Sequence, residues 1–196
     1  MALLTTAAVC ILAVVLALVL SGRGGGRGAV IDASTGFAGA LRPPGMPSAS
    51  FALRDQAGHV VTSASLRGRP AVVTFLYSTC RDTCPLTADQ IRGALDDLPR
   101  AVPVVAVSVD PRADTPLNAR RFLARHGLTG RAHFLLGTRA QLAPLWKAFG
   151  VRPQGQGFEH SASTVLIDAE GRQRVGFPTS EITPEGLAHD LRRLGA

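Results

Sequence analysis

The run Ala71-Val72-Val73-Thr74-Phe75-Leu76-Tyr77 is apolar and β-prone, and it ends in a small polar turn. Cys80 and Cys84 follow, separated by three residues, and Pro85 opens a segment in which Ile91, Ala94, Leu95 and Leu98 recur at helical spacing. The pattern predicts strand, loop and helix, with both thiols at the loop–helix junction. Proline is tolerated at the start of a helix because the first N–H groups have no intrahelical partner. Such a junction favours thiolate over thiol, since a helix N-terminus carries partial positive charge and free N–H groups. A thiolate is a nucleophile and a soft metal ligand. Cys80 and Cys84 can therefore close a disulfide or hold a soft ion. Thr79, Arg81, Asp82 and Thr83 around them predict an exposed loop rather than core.

The remaining elements follow from periodicity and punctuation. Phe51–Arg54 and His59–Thr62 flank Asp55-Gln56-Ala57-Gly58 as a hairpin. Val102 to Val109 is a near-continuous apolar strand suited to burial on both faces of a sheet. Thr115-Pro116 reads as an N-cap with proline at the first helical position, and Gly127 stops that helix. His133 to Leu136 is a short strand. Thr138 to Gln141 has the capping-box pattern, and Pro144 predicts a kink or a late start in the helix that follows. Thr164–Asp168 and Arg172–Phe177 read as a second hairpin, and Thr183-Pro184 caps a last helix with Leu187, Leu191 and Leu194 inward. Strands alternating with helices imply a parallel-containing central sheet covered by helices. With the terminal hairpin and helix, this is an α/β, thioredoxin-like arrangement carrying an N-terminal β-hairpin.

Ala2 to Leu20 is apolar except for Thr5 and Thr6. As a helix it is roughly 28 Å long, close to the ~30 Å hydrocarbon thickness of a bilayer. Residues 1–21 are thus a membrane anchor or an export signal, and the missing basic residues before the run and cleavage site after it favour an uncleaved anchor. Cys10 within it reads as a small apolar residue. Arg23 and Arg27 follow the segment, and a bare positive-inside count would put the rest of the chain in the cytoplasm. Residues 22–49, rich in Gly, Ala, Ser and Pro, read as a flexible linker, and 50–196 as the folded domain. The chain carries net charge +7, but its arginines are scattered and it has one tryptophan and one tyrosine. No nucleic-acid surface is expected.

Two thiolates are an incomplete site for most metals. His160, in the glycine-containing loop Gly155-Gln156-Gly157-Phe158-Glu159-His160 before a predicted strand, sits where it can join them. A Cys₂His donor set suits Cu(I) and also accommodates Cu(II) or Zn(II). His59, His126, His133 and His189 read as turn, helix-end, strand-start and surface residues.

Four blocks occur in a distinctive order. They are Cys80-Arg81-Asp82-Thr83-Cys84-Pro85, Val107-Ser108-Val109-Asp110-Pro111-Arg112-Ala113-Asp114-Thr115-Pro116, Leu128-Thr129-Gly130, and His160-Ser161-Ala162 running into Val165-Leu166-Ile167-Asp168. With them, Phe51 to Leu194 resembles the Sco/SenC family of copper-binding, thioredoxin-like proteins. The resemblance implies one copper ion, Cu(I) or Cu(II), on Cys80, Cys84 and His160. It implies a single-pass anchor in the cell membrane with the domain on the non-cytoplasmic, periplasmic side, against the charge count. The implied partners are subunit II of cytochrome c oxidase or another cuproprotein, and an upstream periplasmic copper donor. The implied role is a metallochaperone without turnover, serving the dinuclear copper site of that subunit. The alternative is a thiol–disulfide oxidoreductase in which Cys80 and Cys84 form a redox-active disulfide and reduce the recipient's cysteines. Arg81 stands where the family usually has proline, and Glu159 where an aspartate usually precedes the histidine. The stretch between Phe149 and His160 is short.

Overall fold

Strand β4 (Ala71–Leu76) is buried along its whole length, as is β5 (Val104–Ser108). Both alternate with a period of two. Val72, Leu76, Val104 and Ala106 face one apolar cluster, while Ala71, Val73, Phe75, Val105 and Val107 face another. A strand with two apolar faces is stable only between two layers. The computed structural model, which describes residues 29–153 and 163–196, supplies both.

The central sheet has six strands in the order β1 (Ala40–Leu41), β8 (Gln173–Pro178), β7 (Ser163–Ile167), β4, β5 and β6 (His133–Leu135). β4, β5 and β6 are parallel, and β7, β8 and β1 add antiparallel partners on the other side. One face is covered by α1 (Thr83–Asp96), α2 (Pro116–Arg125) and α4 (Pro184–Arg193), through Ile91, Phe122, Leu187 and their neighbours. α1 packs along α4 closely enough that a Cβ on Gly93 would stand 3.0 Å from Pro184. The other face is covered by α3 (Arg139–Phe149), through Leu142, Leu145, Trp146 and Phe149. The separate hairpin of β2 (Ala52–Arg54) and β3 (Val60–Thr62) adds Leu53 and Val61 to this layer. Its turn is closed by buried Asp55, which accepts from the amides of Ala57 and His59 and from His133 Nδ1 at 2.8 Å. This mixed sheet with helices on both faces is the expected α/β arrangement, and the hairpins and helix caps stand where the sequence puts them.

Three details differ from the expectations. α3 runs from Arg139 to Phe149 with Pro144 inside it, so the late start is absent. Thr138 and Gln141 form the full capping box, and Pro144, an exposed residue, withholds one N–H from the exposed residue Ala140. α1 begins at Thr83 rather than Pro85, which puts proline at the third position, still among the N–H groups that lack helical partners. Part of the stretch read as linker lies against the domain. β1 pairs with β8, and the amides of Ala38 and Gly39 donate to the buried carboxylate of Asp190 at 2.8 and 2.9 Å. A Cβ on Gly39 would stand 2.5 Å from Val175 Cγ1, so only glycine fits. The segment 1–21, read as anchor or signal, lies outside the described residues, among which no helix is long and apolar enough to cross a membrane.

Candidate metal centre

The parallel strands β4 and β5 end at the same edge of the sheet, where α1 and α2 begin. Loops converge there, and both cysteines stand there, as thiols. Thr79, Arg81 and Asp82 are exposed, but the cysteines are not: Cys80 is 9% exposed and Cys84 0%. The polar neighbours point outward while Cys80 and Cys84, four positions apart, point inward against the α1 face of the core. The exposed thiol loop expected from composition is therefore corrected to a buried pair beneath an exposed rim.

The start of α1 has no side-chain oxygen cap; Asp82 takes φ −121° and ψ −97° and makes no capping bond. The Cys84 N–H instead donates to Cys80 Sγ at 3.4 Å. Cys80 sulfur thus receives one of the unpaired donors of the helix end. Burial pushes the Cys80 thiol up. The Cys84 thiol, the amides of Asp82 and Cys84 and the Tyr77 hydroxyl outweigh this by bonding to its sulfur, and its pKa lies below the ordinary thiol value. Cys84 is held well above that value, first by burial and then by its bond to Cys80 and the charge there. Tyr77 is pushed up to about 12, by burial and by its bond to Cys80. The pair is unequal: Cys80 gives up its proton more readily than Cys84.

Behind the pair lies Asp114, 8% exposed, which accepts from the Ser78 N–H at 2.7 Å and the Ser78 hydroxyl at 2.6 Å. Its other oxygen accepts from the Ser108 hydroxyl. Burial pushes its carboxyl above the usual range despite these bonds. Asp114 and Ser108 belong to the Val107–Pro116 motif, whose local sequence marks no role for either. Ser78 lies 36 residues from Asp114, a separation that carries no local signal. His59 and His133 converge on Asp55, and His126 and His189 pair with Asp89 and Asp190, so these four stand elsewhere. His160 lies outside the described residues. Among the described residues no group of three His, Cys, Asp or Glu side chains is placed to hold a metal ion. The donor chemistry present is two sulfurs, which fits a soft ion.

The model of the family described as SCO1/SenC matches residues 41–196. The chain belongs to the SCO1/SenC family. It is 29% identical over 169 residues to protein SenC of Rhodobacter capsulatus, covering 79% of this chain and 75% of that one. Among solved structures, the chain is 31% identical to Bradyrhizobium japonicum ScoI with copper bound. That match has a TM-score of 0.61 and covers 76% of this chain and 99% of that one. BsSco has been described as having a disulfide switch and as a member of the Sco family of cytochrome c oxidase assembly proteins. It shares the fold at 23% identity and TM-score 0.68, over 79% of this chain and 96% of that one.

Proposed function

We propose that this member of the SCO1/SenC family is a copper metallochaperone. It binds one copper ion through Cys80, Cys84 and His160 and delivers it to the dinuclear copper site of cytochrome c oxidase subunit II. The observation that carries the reading is the buried thiol pair at the start of α1, with Cys80 sulfur already accepting the Cys84 N–H and ionising below the ordinary range. Two sulfurs and one imidazole suit Cu(I). ScoI with copper bound, a 31% identical relative, supports copper as the cargo. On this reading His160 is the third donor, from the loop before β7, and transfer runs through intermediates in which donor and recipient share the ion. Residues 1–21 anchor the chain in the cell membrane with the domain on the non-cytoplasmic side, where an upstream donor loads it.

The inequality of the thiols favours a second reading, reduction of the recipient's cysteines. Cys80 thiolate attacks one sulfur of the recipient disulfide, forming a mixed disulfide and releasing the other sulfur as thiolate. Cys84 then loses its proton and attacks Cys80 Sγ. The Cys80–Cys84 disulfide closes, and the second recipient thiolate leaves with the electron pair. Two electrons pass to the recipient. Formation of the mixed disulfide removes the Cys80 charge that helps hold Cys84 protonated.

Anaerobic Cu(I) titration of the reduced full-length chain against a competing chelator, repeated with His160→Ala, tests the first reading. One tightly held equivalent that weakens sharply in the variant is the expected result. Binding indifferent to His160 contradicts the Cys₂His site and leaves the exchange reaction, which needs only the two cysteines.

A further inference from the structure

The segment between β4 and α1 carries Cys80, and its path is set two residues earlier. Ser78 is buried, and both its N–H and its hydroxyl donate to one oxygen of Asp114, at 2.7 and 2.6 Å. The other carboxylate oxygen accepts from the hydroxyl of Ser108, the last residue of β5. Asp114 is itself held in place: its N–H donates to the Asp110 carbonyl at 2.9 Å, in the turn that leads to the Thr115 cap of α2. Ser108 is held from the other face of the sheet, where Trp146 Nε1 donates to its carbonyl at 2.9 Å. One buried carboxylate thus ties the thiol segment to β5 and to the α2 turn.

We infer that Asp114 is a positioning residue for the thiol centre. By taking both donors of Ser78 it fixes the direction in which the chain leaves β4, and so where Cys80 Sγ lies relative to the Cys84 N–H and to an incoming ligand. A carboxylate suits the task because its two oxygens accept three hydrogen bonds at once. The functional side of the inference rests on the copper reading above; the structural side does not.

The test compares Asp114→Ala, Asp114→Asn and Ser78→Ala in the full-length chain, by amide hydrogen exchange and by Cu(I) affinity from chelator competition. In Asp114→Ala the amides of Ser78 to Cys80 exchange about tenfold faster relative to those of β5, and Cu(I) affinity falls about tenfold, as when a group that orients a metal ligand is removed. Asp114→Asn keeps an oxygen for Ser78 and a group that can pair with Ser108, and restores both readouts to near the natural chain. Ser78→Ala, which removes one of the two Ser78 bonds, gives a smaller change of the same sign. The inference is overturned if Asp114→Ala speeds exchange equally throughout the fold and leaves copper affinity unchanged, or if Asp114→Asn rescues neither readout. Should Asp114→Ala fail to fold, loosening confined to the thiol segment in Ser78→Ala beside natural behaviour in Asp114→Asn supports the inference, and no such contrast overturns it. If the natural chain holds no copper, the copper reading fails while the exchange comparison still decides whether Asp114 orders the thiol segment.

Discussion

α1 and α2 begin side by side at the same edge of the sheet, and their first turns are closed by different chemistry. At α2 the Thr115 hydroxyl accepts from the Asn118 N–H at 3.2 Å and Pro116 fills the first position. At α1 no side-chain oxygen caps the helix, and a cysteine sulfur takes the Cys84 N–H instead. One helix end gives its unpaired N–H to a hydroxyl oxygen, and the other gives one to a cysteine sulfur.

The largest expected break in that contrast is Cys80→Ser. Serine can accept the same N–H, so thermal unfolding should shift by no more than about 1 kcal/mol in stability, the ordinary net worth of one hydrogen bond. Cu(I) affinity should fall sharply, because one of the two sulfur ligands is gone. A variant that unfolds would show that the sulfur's packing, rather than its chemistry, keeps it there.

Two buried carboxylates, Asp55 and Asp114, give a second contrast. Burial raises the pKa of Asp55, but bonds from His133 and the amides of Ala57 and His59 win and hold it below the usual range. Its stabilisation is complete above the ordinary carboxylate value and is lost as the pH falls through the lowered native value. Asp55→Asn should cost about 1.5–3 kcal/mol at neutral pH, the range for hydrogen bonds to a charged group, and progressively less in acid, as read from urea melts. Asp114 has the opposite sign, because burial outweighs the bonds from Ser78 and Ser108. Its contribution is complete below the ordinary value and is lost as the pH rises through the raised native value. Asp114→Asn should therefore unfold no earlier than the natural chain at neutral pH, with any gain shrinking in acid.

At α2, Thr115→Ala should cost about 1 kcal/mol of stability, the usual worth of an N-cap, and leave copper affinity unchanged. A loss of copper affinity in this variant would mean that the two helix starts are coupled. The finest comparison is within the thiol pair. In Cys84→Ser the pH midpoint of alkylation at Cys80 should lie below that of an ordinary thiol, and in Cys80→Ser that of Cys84 should lie above it.

The elements legible in the sequence are those with local punctuation. Thr-Pro at 115–116 and 183–184 and the Thr138/Gln141 box mark helix starts through bonds made within one turn. The alternation along β4 and β5 carries the layered fold. What escaped is decided by contacts distant in sequence. β1 is two residues in a Gly- and Ala-rich stretch, held by β8 and Asp190 rather than by its own propensity. The burial of the thiols escaped because composition averages over a turn whose polar residues face out while its cysteines face in. Cys80 and Cys84 themselves were readable from their spacing and from the proline behind them. Asp114 was readable as part of a motif but not as the group that holds Ser78, since nothing local marks that bond.

X-ray absorption at the copper edge of the Cu(I)-loaded chain reads the ligand set itself. Two sulfur and one nitrogen scatterer around copper are expected in the natural chain, with the nitrogen lost in His160→Ala and a sulfur lost in Cys80→Ser. A copper environment without sulfur, or one unchanged by either substitution, would contradict it.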